Sequence, residues 1–303
     1  MAATVTVLGG YLGTGKTTLL NGLLRSANGQ RIAVVVNDFG SINIDAELIR
    51  STTDDTIELS NGCVCCSLAD GAAAVMTQLA QRTDLDHVVV ELSGVAMPSS
   101  MTSWGTFPGL APGPTVVCVD PGTLATRLRD PYVGDVVAAQ LRAADLLAIT
   151  HTDLHEDAAI AAADVVCDDK APGIPRVSVA AGATTVDALI AAATSREAPD
   201  TEPPPEPVST HRTVTLTTRR TVDRAALAAV LAEAPSSLVR AKGFIRTPEE
   251  PHRRTVVQYV RPDLRFTDGD ARNAEADESV LVVIAAGSES DPEPWSALQE
   301  LFD

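Results

Sequence analysis

The chain has 303 residues, of which 45% are hydrophobic and 3% aromatic, and its formal net charge is −17. This length suffices for two domains of ordinary size, and the few aromatic residues mean that the core is built from Val, Leu, Ile and Ala. Because nucleic acids and anionic membranes attract basic surfaces, the acidic balance disfavours nonspecific binding to either.

The N-terminal residues (Met1-Ala-Ala-Thr-Val-Thr-Val) contain no basic region followed by an apolar stretch. No apolar run approaches the ~20 residues that span a bilayer. We therefore expect a cytoplasmic protein without a signal peptide or membrane segment. In a reducing compartment, its five cysteines are better read as metal ligands or redox groups than as disulfides.

Short apolar runs alternate with amphipathic or Ala-rich stretches in residues 1–195. Runs that are apolar throughout are typical of parallel strands covered on both faces. The predicted strands are Thr4–Leu8, Arg31–Asn37, His87–Leu92, Thr115–Asp120, Leu146–Thr150 and Arg176–Val179. The predicted helices are Lys16–Ser26, Ala69–Arg82, Asp135–Ala144, Ala158–Val166 and Val186–Ala193. This alternation predicts an α/β domain with a parallel sheet flanked by helices.

The first predicted strand leads into Gly10-Tyr11-Leu12-Gly13-Thr14-Gly15-Lys16-Thr17, which satisfies the full P-loop pattern before a predicted helix. Glycines let backbone N–H groups cradle phosphates at a helix N-terminus, so a P-loop NTPase fold is expected. Lys16 would reach the β- and γ-phosphates, and the Thr17 hydroxyl would ligate Mg²⁺. The predicted nucleotide-binding residues of the loop are Gly10, Gly13, Thr14, Gly15, Lys16, Thr17 and Thr18. The alternative is a glycine-rich turn that binds no nucleotide.

Three of the five cysteines lie within four residues, at Cys63-Val64-Cys65-Cys66. Thiolates favour Zn²⁺ or Cu(I) and can also hold Co²⁺, whereas structural zinc usually takes four ligands in separated pairs. Three sulfurs from one loop would leave a coordination position open, which suits metal transfer. Buried apolar cysteines or a redox pair are the alternatives. Cys118 is expected in the core, and Cys167 is expected just after a helix.

The predicted strand that ends at Thr150 is followed by His151, Thr152 and Asp153. GTPases place Asn-Lys-x-Asp here, and the aspartate accepts hydrogen bonds from guanine N1–H and N2–H₂. Thr150, His151 and Asp153 are therefore predicted to contact the base, since a site built on such bonds discriminates strongly against other bases. The alternative is a polar helix cap at the end of a strand.

Residues 196–209 are rich in Pro and acids, which predicts a stiff, extended linker. Residues 210–303 then read as a smaller α+β domain with strands at Thr213–Thr218, Leu238–Arg246, Thr255–Val260 and Val280–Ala286 and helices at Arg224–Glu233 and Pro294–Phe302. Its basic residues Arg240, Lys242, Arg246, Arg253, Arg254, Arg261 and Arg265 are either exposed strand positions or a docking surface.

Taken in order, these motifs resemble those of the CobW-type metallochaperone GTPases. The resemblance rests on the phosphate loop, Asn37-Asp38-Phe39-Gly40, Gly62-Cys63-Val64-Cys65-Cys66, Glu91-Leu-Ser-Gly-Val-Ala-Met-Pro98 and Arg240-Ala-Lys-Gly-Phe244. It implies GTP binding, slow hydrolysis to GDP, Mg²⁺ as cofactor, and Zn²⁺ or Co²⁺ held by Cys63, Cys65 and Cys66. The chain departs from the family with Asp38 for Glu, His151 for Lys, and no His-rich tract after the linker.

The hypothesis is that nucleotide state controls the affinity of the cysteine loop for metal, which is then given to a client metalloprotein. Lys16 and Glu91 are the candidate catalytic residues, with Glu91 orienting the attacking water or a Mg²⁺-bound water. Thr17 and Glu91 would serve Mg²⁺, and Asp38 is a candidate fourth ligand of the transition metal or a group that hydrogen-bonds to its ligands. The alternatives are a zinc-responsive regulatory GTPase docking on an assembly, a small-molecule P-loop kinase, and a structural zinc protein.

Overall fold

The computed structural model describes residues 2–36, 56–58, 69–98, 107–180, 183–193, 211–250, 252–268, 278–287 and 291–303, with the backbone alone at 56–58 and 69–74. The described residues fall into two compact units, one up to residue 193 and one from residue 211. The exact boundary stays a prediction because residues 194–210 lie outside the described ranges. Among the described residues, no helix combines the length and apolarity that crossing a membrane requires.

The first unit is built on a seven-stranded parallel sheet with the order β3-β2-β4-β1-β5-β6-β7. Its strands are β1 (Ala3–Gly9), β2 (Ile32–Val36), β3 (Thr56–Glu58), β4 (His87–Glu91), β5 (Leu110–Val119), β6 (Leu146–Thr150) and β7 (Arg176–Val179). Its helices are α1 (Lys16–Arg25), α2 (Ala69–Ala80), α3 (Leu124–Arg129), α4 (Gly134–Arg142), α5 (Asp157–Lys170) and α6 (Val186–Ala193). The predicted fold class is confirmed.

Helices on both faces explain why the central strands are apolar at every position. On β4, Val88 and Val90 belong to a core cluster that contains Met76 and Leu79 of α2. Val89, between them, belongs to a second cluster with Leu19 of α1 on the other face. Since neighbouring residues of a strand point to opposite faces, each one is buried under a different layer.

The parallel register brings several functional strand ends to one edge of the sheet. Leu8 of β1 and Val36 of β2 both pair with Glu91 of β4, and Glu58 of β3 pairs with Val36. The start of the phosphate loop, Glu91 and Glu58 at the end of β3 therefore all lie at the carboxyl edge, where ligands bind in open α/β sheets.

The second unit is a five-stranded antiparallel sheet with the order β11-β10-β9-β12-β8. Its strands are β8 (His211–Thr218), β9 (Leu238–Arg246), β10 (Arg254–Val260), β11 (Asp263–Asp268) and β12 (Ser279–Ala286). Helices α7 (Arg224–Ala232) and α8 (Ser296–Phe302) contribute to one core cluster with the sheet. The Asp223 carboxylate begins α7 by accepting a hydrogen bond from Ala226 N–H at 2.8 Å.

Every helix and strand predicted from the sequence is present, and in the ranges that the structure describes three short elements were not predicted: β3, α3 and β11. Two local predictions are wrong. Cys167 lies inside α5 rather than after a helix, because that helix continues to Lys170. Lys242, which one interpretation placed at an exposed strand position, is only 5% exposed.

Candidate nucleotide site

The phosphate loop joins the end of β1 to the start of α1 in a conformation that requires glycine. Gly10, Gly13 and Gly15 have φ angles of 125°, 76° and 80°, a region that other residues rarely adopt. A Cβ atom on Gly10 would lie 2.6 Å from the Cys118 carbonyl oxygen of β5. The loop can therefore pack against the neighbouring strand only with glycine at this position.

Lys16, the first residue of α1, is buried under this loop and is 7% exposed. Its Nζ donates hydrogen bonds to the carbonyl oxygens of Gly10 at 2.8 Å and Tyr11 at 3.2 Å. The Thr14 hydroxyl also donates to the Tyr11 oxygen, at 2.8 Å. The ammonium group is thus held inside the loop. Thr18, two residues further along α1, has an exposed side chain.

Thr17 of α1 and Glu91 at the end of β4 form a direct contact. The Thr17 hydroxyl donates to Glu91 Oε1 at 2.8 Å, and Glu91 is only 3% exposed. A hydroxyl and a carboxylate are hard oxygen ligands of the kind Mg²⁺ takes in nucleotide sites, where it keeps several waters and binds one or two protein groups. These two side chains therefore fit the cofactor that a P-loop implies.

The segment after Glu91 is held against the phosphate loop by Gln140 of α4, a residue that the sequence did not single out. Its Nε2 donates to the carbonyl oxygens of Gly94 at 3.1 Å and Ala96 at 2.9 Å. A Cβ atom on Gly94 would lie 2.7 Å from the Leu12 backbone nitrogen. Glu91 is therefore followed by a segment that packs closely on the phosphate loop.

The residues predicted to read the base begin at the end of β6. The Thr150 hydroxyl lies 2.8 Å from the Thr14 carbonyl oxygen and 3.0 Å from that of Val119, so it ties β6 to the phosphate loop. His151 has a left-handed backbone with φ of 54°. A Cβ atom on Gly15 would lie 2.9 Å from His151 Nε2, so the imidazole covers the loop at this glycine. Asp153 is exposed.

Asp120, which follows β5, joins the site without having been predicted. Its carboxylate lies 2.9 Å from His155 Nε2 and 3.8 Å from His151 Nδ1. Burial would raise the pKa of Asp120, but hydrogen bonds to its carboxylate and the nearby imidazoles outweigh this and lower the pKa below its usual value. Its position at the carboxyl end of a strand beside β1 was the signal that could have identified it.

The predicted transition-metal ligands Cys63, Cys65, Cys66 and Asp38 lie outside the described residues. Over the ranges that are described, no three His, Cys, Asp or Glu side chains are grouped so that they could hold a metal ion. Cys118 and Cys167 are buried free thiols. Burial raises the pKa of Cys118 to about 12 and that of Cys167 to about 11.

These two pKa values predict a clean division of the five cysteines. In the native, metal-free protein at pH 8, no more than three thiols are expected to react quickly with iodoacetamide, because the thiolate is the reactive form. Cys118 and Cys167 should react only after denaturation, as peptide mass spectrometry would show. The folded state should also lose stability as pH rises above ~8.5, where unfolded cysteines ionise while the buried thiols keep their protons. Rapid native alkylation of Cys118 would contradict this assignment.

The first unit is a parallel sheet whose carboxyl edge carries a glycine-rich loop that encloses a lysine, together with a threonine and a buried glutamate. These features define a P-loop nucleotide-binding domain. Residues 4–175 match the family model for the CobW/HypB/UreG nucleotide-binding domain. Residues 211–303 match the model for the cobalamin synthesis protein cobW C-terminal domain. The chain therefore belongs to the CobW/HypB/UreG family, and the resemblance inferred from its motifs is confirmed.

Curated relatives match parts of the chain. A protein named zinc chaperone CobW from Sinorhizobium sp is 34% identical over 179 residues, covering 49% of this chain and 51% of that protein. Zinc-regulated GTPase metalloprotein activator 1 of Dictyostelium discoideum is 38% identical over 116 residues, covering 34% and 24%. The matched region thus spans about half or less of these relatives' length.

Among solved structures, the Zn(II)-bound YjiA GTPase from E. coli aligns over 99% of both chains, with 21% identity and a TM-score of 0.47. HypB from Helicobacter pylori in complex with nickel covers 59% of this chain and 80% of that chain, with 17% identity and a TM-score of 0.43.

Proposed function

We propose that the protein is a GTP-binding and GTP-hydrolysing metallochaperone. It would bind Zn²⁺ or Co²⁺ at Cys63, Cys65 and Cys66 and deliver or withhold the metal according to its nucleotide state. The observation that carries the proposal is the hydrogen bond from Thr17 to the buried Glu91. This contact connects the phosphate loop to the end of β4, so a change at the phosphates reaches a second strand of the sheet.

In this proposal the phosphates lie against the loop amides at the N-terminus of α1, where the helix dipole favours negative charge. Lys16 would exchange its carbonyl contacts at Gly10 and Tyr11 for phosphate oxygens. The base would be recognised by Asp153, with His151 beside it above Gly15. The Asp153 carboxylate would accept hydrogen bonds from the N–H groups of guanine, and the protein would therefore prefer GTP to ATP.

Hydrolysis requires an attacking water to be oriented and the charge on the phosphates to be neutralised. Mg²⁺, when bound, supplies positive charge to the phosphate oxygens, and the Thr17 hydroxyl and Glu91 carboxylate would hold it directly or through water. Glu91 would also orient the attacking water, a role supported by its position at the end of β4 and by the hydrogen bond from Thr17 at 2.8 Å. The residues present therefore fit metal-assisted hydrolysis.

The positions of β3 and β4 in the sheet support coupling between the nucleotide site and the cysteines. Cys63 follows Glu58 by five residues, a length of chain that spans at most ~17 Å. Glu58 lies on β3, two strands away from β4, which corresponds to ~10 Å at the usual strand spacing. The length of chain between Glu58 and Cys63 would therefore allow the cysteines to reach Glu91. If GTP raises metal affinity, then metal must raise GTP affinity by the same factor.

The names of the relatives support a metal role, since those matched include a zinc chaperone and a zinc-regulated GTPase. They leave two readings of the same site. In the first, zinc is cargo for a client metalloprotein. In the second, zinc is a signal that switches the GTPase on a protein assembly. Transfer of zinc to an apo-metalloprotein that requires GTP hydrolysis would favour the first.

The test is a zinc titration of the protein with a non-hydrolysable GTP analogue and with GDP, using a competing chelator. We expect the affinity for Zn²⁺ to differ at least tenfold between the two states and to rise with pH, because thiolates must lose protons to bind. Cys65→Ser should abolish tight binding in both states, whereas the matched control Cys167→Ala should not. Equal zinc affinity in both states would contradict the coupling and indicate a structural zinc site.

A further inference from the structure

Two histidines converge on one buried carboxylate beside the base site. Asp120 is 8% exposed and follows β5, whereas His151 and His155 follow β6, the next strand of the sheet. Within Asp120, Oδ1 contacts His155 Nε2 at 2.9 Å and also accepts from Gly122 N–H at 3.0 Å. Oδ2 accepts from the Thr123 hydroxyl at 3.2 Å and lies 3.8 Å from His151 Nδ1. The carboxylate thus links two loops.

The turn that the Asp120 carboxylate holds contains a residue with an unfavourable backbone conformation. His151 has φ of 54°, and a residue other than glycine is strained in the left-handed region, so that it keeps this conformation only when its surroundings determine it. Thr150 fixes the backbone before it, and the hydrogen bond from Leu154 N–H to the His151 carbonyl oxygen at 2.9 Å closes the turn after it. The His155–Asp120 contact then fixes the far end of the turn to β5.

Gly122 leaves the space that the imidazole of His155 occupies. A Cβ atom on Gly122 would overlap the imidazole of His155, lying 3.0 Å from its Nε2 and closer still to its Cε1. The backbone of Gly122 does not have a positive φ, unlike those of Gly10, Gly13 and Gly15. The conformation itself therefore accepts alanine, so the reason for glycine at this position is the space that the imidazole occupies.

We propose that Asp120 and His155 are positioning residues of the base site, which fix the turn 151–155 over Gly15 so that the chain discriminates guanine from other purines. The inference rests on the proposed function, because it concerns how the GTP site recognises its base. Asp153 lies at the exposed tip of this turn, and an unfixed turn would have to be ordered when nucleotide binds. Fixing the turn beforehand removes that cost and keeps the carboxylate in register with guanine.

The arrangement also accounts for His151 at the position where related proteins are expected to carry lysine. An imidazole is shorter than a lysine side chain and presents two ring nitrogens. Here Nδ1 faces Asp120 at 3.8 Å while Nε2 faces Gly15. The ring is thereby oriented from one side and covers the phosphate loop with the other.

The test compares GDP with IDP, which lacks the 2-amino group of guanine, by equilibrium binding to the full chain. The variants are His155→Ala, which removes the imidazole, Gly122→Ala, which displaces it, and the double variant. We expect the wild type to prefer GDP at least tenfold. Each single variant should reduce the GDP-to-IDP preference at least fivefold. In the double variant, Gly122→Ala should add no further loss, because the side chain that it would displace is already absent.

Inorganic pyrophosphate binding reports whether the phosphate loop of each variant is intact. A parallel loss of GDP, IDP and pyrophosphate affinity would show that the residues merely stabilise the fold, and would overturn the inference. Single variants that keep the wild-type preference, or additive losses in the double variant, would also overturn it. A wild type without preference for GDP would overturn guanine recognition itself, which separates failure of the proposed function from failure of this inference.

Discussion

Replacing Lys16 with alanine is expected to weaken GTP and GDP binding at least ~100-fold, since hydrogen bonds from a charged group are worth ~1.5–3 kcal/mol each. In the structure its ammonium already lies inside the phosphate loop, 2.8 Å from the Gly10 oxygen and 3.2 Å from that of Tyr11. The phosphates would gain those bonds together with a positive charge where their own charge is greatest. Equilibrium titration with a fluorescent GDP measures the loss.

The matched control is Lys170→Ala, which removes an exposed lysine at the end of α5 that pairs with Asp169. This control should bind GDP like the wild type and gain the same thermal stabilisation from it. Stabilisation by ligand grows with the ratio of ligand concentration to dissociation constant, so it should vanish for Lys16→Ala at micromolar GDP. A Lys16→Ala protein that still gains wild-type stabilisation from GDP would contradict the assignment of the phosphate site.

The phosphate loop could be predicted because its information is local. Eight consecutive residues between an apolar strand and a helix specify the glycine conformations and the lysine. The parallel sheet was also predictable, since strands such as β2 and β4 are buried at every position. Contacts between residues far apart in the sequence could not be predicted in this way. Thr17 and Glu91 are 74 positions apart, and they were connected only through the resemblance to a known family.

The missed features depend on pairing that no local pattern encodes. Asp120-Pro121-Gly122 reads as an ordinary turn after a strand, and its role follows from the register of β5 and β6, in which Val119 pairs with Ile149. Strand β3 has three residues, and pairing with β2 alone defines it. Strand β11 begins and ends with aspartate and is mostly exposed, so it has little of the hydrophobic pattern by which strands are recognised.

Replacing Glu91 with glutamine is expected to slow GTP hydrolysis at least ~100-fold, a loss typical of removing a positioned general base or water-orienting group. Glutamine has nearly the same shape, and its carbonyl oxygen can still accept the hydrogen bond that Thr17 donates to Glu91 Oε1 at 2.8 Å. What disappears is the negative charge that would hold Mg²⁺ or orient water. Phosphate release at saturating GTP, measured over a range of Mg²⁺ concentrations, separates these two roles.

A higher Mg²⁺ requirement with the original rate at saturation would assign Glu91 to the metal, whereas a slow rate at every Mg²⁺ concentration would assign it to the water. Glu156→Gln is the control, because Glu156 is exposed at the start of α5. This variant should hydrolyse GTP at the wild-type rate. Wild-type turnover and Mg²⁺ dependence in Glu91→Gln would contradict both roles. The buried position of Glu91 would then reflect packing at the sheet edge, and the coupling to the cysteine loop would need another connection.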